Sequence, residues 1–259
     1  MKGANNLKTS EIVGGFRGDS IAYRVAPRRG VFALKYFSRG DTVEICPVVT
    51  LARGDCHKKA LYLSNRKGGA PMLLTGLGSL YSKGRANVTC AYTAGNVVFT
   101  ASTNIKAGAE LRRVANNCMT RYRKPLPTEP TAIAGGHLGG AVVVRGSHIH
   151  GRGVFALRSF RKGDIVETCL IHTLRDDDCK GISRLHDYTY VGGGKNHTLL
   201  LAGFGSLYNS SESSATANLT YVRRGKNMVF IAARNVRKGA ELLHFYGTEY
   251  WNSRGVTPQ

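Results

Sequence analysis

Residues 152–169 read RGVFALRSFRKGDIVETC, and residues 29–46 read RGVFALKYFSRGDTVEIC. Working outward, LLTGLGSLY at 73–81 answers LLAGFGSLY at 200–208, and FTASTNIKAGAEL at 99–111 answers FIAARNVRKGAEL at 230–242. Three blocks recur in one order at similar spacing, which reads as a tandem duplication of a unit of roughly 110 residues, an ordinary size for a small domain. Within each unit the apolar runs are short and β-branched, as in Val154-Phe155-Ala156, Ile165-Val166 and Met228-Val229-Phe230-Ile231. They are separated by turn signals such as Arg161-Lys162-Gly163-Asp164 and Arg237-Lys238-Gly239, a pattern that predicts strands rather than long helices. One helical segment is expected around Cys179–Tyr188. The divisions expected are an N-terminal extension over 1–19, a first copy over 20–118, a Pro- and Gly-rich linker over 119–140 and a second copy over 141–259.

Composition narrows the class. Hydrophobic residues make up 42% of the 259 residues, enough for packed cores. No run of about 18 apolar residues is present, so no membrane span is expected. The start, MKGANNLKTSEIVGG, lacks an apolar signal core, which argues against secretion. The net charge of +21 points to a polyanion partner, most simply DNA or RNA, against the plainer reading of a solvated basic surface. Residues 1–130 hold 21 Lys+Arg against 7 Asp+Glu, so the first half is the more basic, with Arg112-Arg113 and Arg121-Tyr122-Arg123-Lys124 as candidate phosphate contacts. The six cysteines form no CxxC pair, so no metal site is expected, and they are read as buried reduced thiols.

The second copy resembles the SET-domain protein lysine methyltransferases, specifically the compact viral type. The motifs that carry the resemblance are His150-Gly151-Arg152-Gly153-Val154-Phe155-Ala156, then Gly203-Phe204-Gly205-Ser206-Leu207-Tyr208-Asn209-Ser210-Ser211, then Glu241-Leu242 with Phe245-Tyr246-Gly247 and Tyr250-Trp251. The resemblance implies a mainly β fold: two tandem SET-like units of small sheets with few short helices, and a C-terminal pseudoknot in the second copy. It also implies an S-adenosylmethionine pocket on one face and a lysine channel on the other. By the same resemblance Gly151, Arg152, Gly153, Asn209, Ser210 and Trp251 would bind the cofactor. Tyr246 and Tyr208 would be catalytic, and Tyr188 and Tyr250 would line the channel. Taken singly, each glycine is also an ordinary turn residue and each aromatic an ordinary core residue. This chain has Asn209-Ser210-Ser211 where the family has Asn-His-Ser, and Ala217-Asn218 where it has Pro-Asn.

Site positions in the first copy differ. Ser82 and Lys83 stand for Asn209 and Ser210, and Ala115 and Asn116 for Tyr246 and Gly247, so this copy is expected to fold without catalysing. The resemblance makes the chain a protein-lysine N-methyltransferase, with a histone tail or a ribosomal-type protein as substrate and the nucleus as its place. The mitochondrion and the cytoplasm are the alternatives. Two other readings stand beside it: a catalytically inactive, nucleic-acid-associated scaffold, and an interaction module whose two copies pair within one chain in place of an oligomer.

Overall fold

The computed structural model describes residues 11–14, 20–24, 29–51, 63–65, 71–93, 95–113, 120–121, 133–135, 140–175, 184–192 and 197–255. The fold is mainly β, built from small sheets, with three short 3-10 turns and one α-helix, Thr248–Arg254, among the described residues. The helical expectation near Cys179–Tyr188 is met only by the 3-10 turn Arg184–Tyr188; residues 176–183 lie outside the described residues.

Each half holds three corresponding sheets. In the first, Glu11–Gly14, Ile21–Arg24 and Gly30–Ala33 form an antiparallel triplet; in the second, Ile133–Gly135, Val142–Gly146 and Arg152–Ala156 do the same. The larger second-half sheet orders Thr189–Val191, His197–Ala202, Ile165–Arg175, Asn227–Ala232 and Leu219–Arg224. Its first-half counterpart has six strands, with Thr42–Thr50 in the place of Ile165–Arg175. Finally, Ser82–Lys83 pairs in parallel with Arg112–Arg113, and Asn209–Ser210 pairs in parallel with Leu243–His244.

Three segments behave otherwise than their composition suggests. Ile133–Gly135, inside the expected linker, pairs with Val142–Val144, and Glu11–Gly14, inside the expected extension, pairs with Ile21–Arg24. Thr120–Arg121, also in the expected linker, pairs in parallel with Ala91–Tyr92. A strand of two to four residues carries too little periodicity to stand out beside Pro and Gly. The repeat itself held a further signal: Ile12-Val13-Gly14-Gly15 answers Ile133-Ala134-Gly135-Gly136.

The long strand of each half carries a bulge, between Thr42 and Glu44 and between Ile165 and Glu167. A bulge turns an extra residue out of the two-faced alternation. Here it buries a carboxylate beside an apolar neighbour, Glu44 after Val43 and Glu167 after Val166. Glu44 accepts from the Leu77 N–H at 2.7 Å and the Tyr81 hydroxyl at 2.9 Å, and Glu167 accepts from the Phe204 N–H at 2.8 Å and the Tyr208 hydroxyl at 2.9 Å. Burial raises both acids, Glu44 to about 7, while the hydrogen bonds act the other way. Cys46 and Cys169 sit against these acids as buried free thiols, and burial pushes both upward. Cys90 is disulfide-bonded, so the expectation of reduced thiols does not hold there.

The halves meet at corresponding residues. Gly76 and Gly203 form an antiparallel bridge, with the Gly76 N–H donating to the Gly203 carbonyl at 3.0 Å. Both have positive φ, +89° and +122°, which glycine adopts without strain. Around this bridge Ile45, Val49, Leu51, Leu73 and Val98 pack into the second-half core, and Leu170 and Ala202 pack into the first.

Candidate active site

The second half places the motif residues around two connected features, a glycine loop and an aromatic cavity. Asn209 opens the short parallel strand beside Leu243, which brings it to the loop after Gly146. Its amide Nδ2 donates to Glu241 Oε1 at 2.8 Å and to the His150 carbonyl at 3.1 Å, and approaches the Arg152 carbonyl at 3.5 Å. The other carboxylate oxygen of Glu241 accepts from Ser147 Oγ at 3.0 Å. Gly153 packs so closely here that a Cβ would overlap the Glu241 carboxylate, whereas Gly151, at φ +49°, has no heavy atom within 4 Å of a would-be Cβ. One glycine is needed for close packing and the other leaves an open flank.

Asn218 clamps the strand that carries Glu241: its Nδ2 donates to the Glu241 carbonyl and its Oδ1 accepts from the Leu243 N–H, both at 2.8 Å. Ser210 Oγ donates to the Ser211 carbonyl at 2.9 Å and accepts from the Tyr246 N–H at 3.2 Å, so its side chain fixes the Tyr246 backbone. Arg152 behaves differently from its neighbours. Its guanidinium leaves the loop and bonds the first half at the Val48 carbonyl (2.8 Å), Asn96 Oδ1 (3.1 Å) and the Gly95 carbonyl (3.2 Å).

On the far side of residue 209 lies a cavity of about 850 Å³ whose walls include Tyr188, Tyr190, Tyr221, His244, Tyr246 and Tyr250. The Tyr246 hydroxyl donates to the Tyr208 carbonyl at 2.7 Å, joining the cavity wall to the residue before Asn209. Burial, with Tyr250, Tyr188, Asp187 and Glu241 nearby, holds the phenol well above its ordinary pKa, so it stays neutral. Trp251 stacks on Tyr246 at 5.9 Å and 9°, and Tyr250 meets it edge-on at 4.7 Å. Arg254 lies over the Tyr250 ring at 3.8 Å and bonds Asp187 Oδ1 at 2.5 and 3.1 Å, tying the C-terminal helix to the 3-10 turn before Thr189.

Tyr208, expected among the reacting groups, lines the cavity, but its hydroxyl is held by Glu167 as that of Tyr81 is by Glu44. Repetition of this bond in the half without the site motifs marks it as part of the scaffold.

Sequence reading missed His244, Tyr190 and Tyr221. Tyr190 donates a hydrogen bond to the Gly205 carbonyl at 2.6 Å, and its oxygen lies 3.0 Å from His244 Nε2, whose Nδ1 lies 3.3 Å from the Phe245 carbonyl. Burial lowers His244 to about 4, making it a neutral imidazole at pH 7. No local pattern announces it, because its environment comes from strands distant in sequence.

Among the described residues, the first half lacks these arrangements. Ser82 Oγ donates to Glu110 Oε1 at 2.5 Å, and Arg112 takes Glu110 Oε2 at 2.7 and 3.1 Å. Arg112 faces Ser82 in register as Leu243 faces Asn209, so a guanidinium closes the carboxylate that Asn209 and Ser147 share in the second half. The strand clamp remains: Asn87 bonds the Glu110 carbonyl and the Arg112 N–H, both at 2.8 Å. Arg112 is thus paired and Arg113 is partly buried. Ala115, Asn116 and residues 122–124 lie outside the described residues, as do the side chains of Arg121 and Arg175. No group of three or more metal-ligating side chains gathers among the described residues.

Residues 151–247 match the family model described as SET domain. The chain is also similar to a solved structure of a candidate histone methyltransferase from Plasmodium falciparum, at 32% identity over 43% of this chain and 96% of that one, with a TM-score of 0.35. No curated protein matches. The second half of the chain belongs to the SET-domain family.

Proposed function

We propose that the chain is an S-adenosylmethionine-dependent protein-lysine N-methyltransferase in which the second half carries the chemistry and the first, a duplicated copy, is a scaffold. The observation that carries this reading is the Tyr246 phenol, held by the Tyr208 carbonyl at the wall of the aromatic cavity and one residue from the Asn209–Glu241 network. The parallel pairing of Asn209–Ser210 with Leu243–His244 supports a threaded C-terminal segment, and the matched sheets and buried-acid contacts support the duplication.

The residues fit the cofactor. Gly151 presents an open flank, and Asn209 Oδ1 makes no bond among the described residues, so it is left to accept from a ligand ammonium. Gly151, Gly153, Asn209 and Trp251 would hold the group, with Arg152 contributing main chain only. The cofactor supplies a methyl group on a sulfonium, which needs only an aligned, neutral amine. Free lysine has a pKa of about 10.4, so deprotonation at pH 7 costs about 4–5 kcal/mol. A cation about 4 Å away at an effective dielectric of about 20 repels the ammonium by about 4 kcal/mol, and an aromatic channel adds desolvation in the same direction. No protein base is needed to account for the neutral amine. Tyr246 has given its proton to Tyr208, so its oxygen lone pairs are free to accept from the amine and aim it. His244, in hydrogen-bond contact with Tyr190 through Nε2, helps to hold the wall.

With Asp187 paired to Arg254, Glu249 is the cavity carboxylate left to favour a cationic segment as substrate, consistent with a histone tail or a ribosomal-type protein in the nucleus or an organelle. A polyanion partner rests on the net charge of +21. The scaffold reading draws on Ser210 in the usual His position. Calorimetry with S-adenosylmethionine separates the two: binding lost in Asn209→Ala supports the enzyme, and no binding by the native chain supports the scaffold.

A further inference from the structure

We propose that Arg152 is a positioning residue through which the first half of the chain sets the glycine loop of the second half. The proposal rests on the reading of residues 150–153 as the cofactor loop. Arg152 closes that loop as the first residue of the strand Arg152–Ala156, and its two ends face different partners. Its carbonyl, with that of His150, faces the Asn209 amide, which bonds Glu241. Its guanidinium crosses to the first half and engages three acceptors around one turn: the Val48 carbonyl at 2.8 Å, Asn96 Oδ1 at 3.1 Å and the Gly95 carbonyl at 3.2 Å.

These acceptors are fixed. Val48 lies within the strand Thr42–Thr50, and Asn96 opens the strand Asn96–Ala101 that pairs with it. A planar guanidinium bonded to three acceptors on a paired sheet has little freedom left, and a loop flanked by flexible glycines gains order from such a tether. Gly151 has positive φ and an open flank, and its carbonyl accepts from the Ser147 N–H of the same loop at 3.0 Å, so the guanidinium adds the loop's tie to the first half. The two copies of this arginine stand in different surroundings. Arg29, the counterpart of Arg152 in the repeat, is exposed. The half without the site motifs therefore grips the half with them, and the inert copy forms part of the loop's support.

The test uses the full chain with Asn96→Ala, Arg152→Ala and Arg152→Lys. Asn96 belongs to the first half and is none of the proposed site groups, so Asn96→Ala probes the tether from outside. Hydrogen exchange of amides 147–153, without cofactor, should speed up several-fold in Asn96→Ala and more in Arg152→Ala, with the sheet amides of 165–175 unchanged. The dissociation constant for S-adenosylmethionine should rise roughly tenfold in Arg152→Ala, less in Asn96→Ala, and be partly restored in Arg152→Lys. Combining Asn96→Ala with Arg152→Ala should add little to Arg152→Ala alone. Unchanged exchange at 147–153 in both alanine variants overturns the tether, whatever the cofactor result. Faster exchange with unchanged affinity overturns its role in positioning. A native chain that binds no cofactor but shows the exchange change keeps the tether, and overturns both its cofactor role and the enzyme reading.

Discussion

The Tyr246 hydroxyl donates to the Tyr208 main-chain carbonyl at 2.7 Å, so the phenol is aimed by backbone and not by a titratable partner. Its orientation should therefore be insensitive to pH across the neutral range. Removing the oxygen while keeping the ring tests what that orientation is for. Tyr246→Phe is expected to lower kcat on the order of 100-fold or more, the usual cost of losing one preorganised polar group, with cofactor affinity nearly unchanged. Single-turnover methyl transfer together with calorimetry reads both quantities, and equal loss in both would remove Tyr246 from the reacting site.

Glu44 tests the buried-acid arrangement. Burial raises it to about 7 from an ordinary 4.5. The folded chain then holds the proton more tightly than the unfolded chain, so this contribution is fully present below about pH 4.5 and is lost as the pH rises through about 7. The shift corresponds to a loss on the order of 3 kcal/mol. Glu44→Gln keeps the shape and removes the titration. The stability gap between native chain and variant, measured by urea unfolding, should shift in the variant's favour between pH 5 and pH 8.

His244 has the opposite dependence. Burial lowers it to about 4 from 6.5, so its contribution is present above about pH 6.5 and is lost as the pH falls through about 4. In His244→Phe the ring contacts with Tyr190 and Tyr246 can persist while the acid sensitivity is reduced. Unfolding curves at pH 7 and pH 4.5 should differ less in the variant than in the native chain.

Gly78 and Gly205 test whether the halves unfold together. A Cβ on Gly205 would meet Leu201, Phe230 and Cys169 at 2.6 to 3.0 Å, and one on Gly78 would overlap Phe99 and Cys46. Overpacking of this kind costs about 1–3 kcal/mol. Trp251 is the single tryptophan and lies in the second half. Because the halves share a core, Gly78→Ala should lower the fluorescence melting point together with that from circular dichroism. Separate transitions would mean that the halves are independent units.

Local chemistry in the sequence went a long way toward this fold. The runs Arg152–Ala156 and Asn227–Ala232 announce themselves as strands through β-branched and aromatic residues, and Gly163 and Gly239 as turns through positive φ. The ordered motifs located Asn209, Tyr246, Tyr250 and Trp251, which the structure gathers around one network and one cavity. Features made by distant strands were not legible. Glu167 in a strand reads as a solvent-facing residue until the bulge turns it inward, and His244 becomes a cavity wall only through Tyr190 and Tyr221. Arg152 was readable as a loop residue, but its guanidinium's destination lies more than fifty residues away in sequence.

The bridge between Gly76 and Gly203 bears on how such a chain can evolve. A half that does not carry the site motifs is ordinarily free to drift or be deleted. Here its inner face covers Leu170 and Ala202, while the second half covers Ile45, Val49 and Leu73 in return. Deleting either half would strand an oily face in water, so mutation is free to rewrite the first half's outer surface toward new uses while its buried side stays tied to the second half.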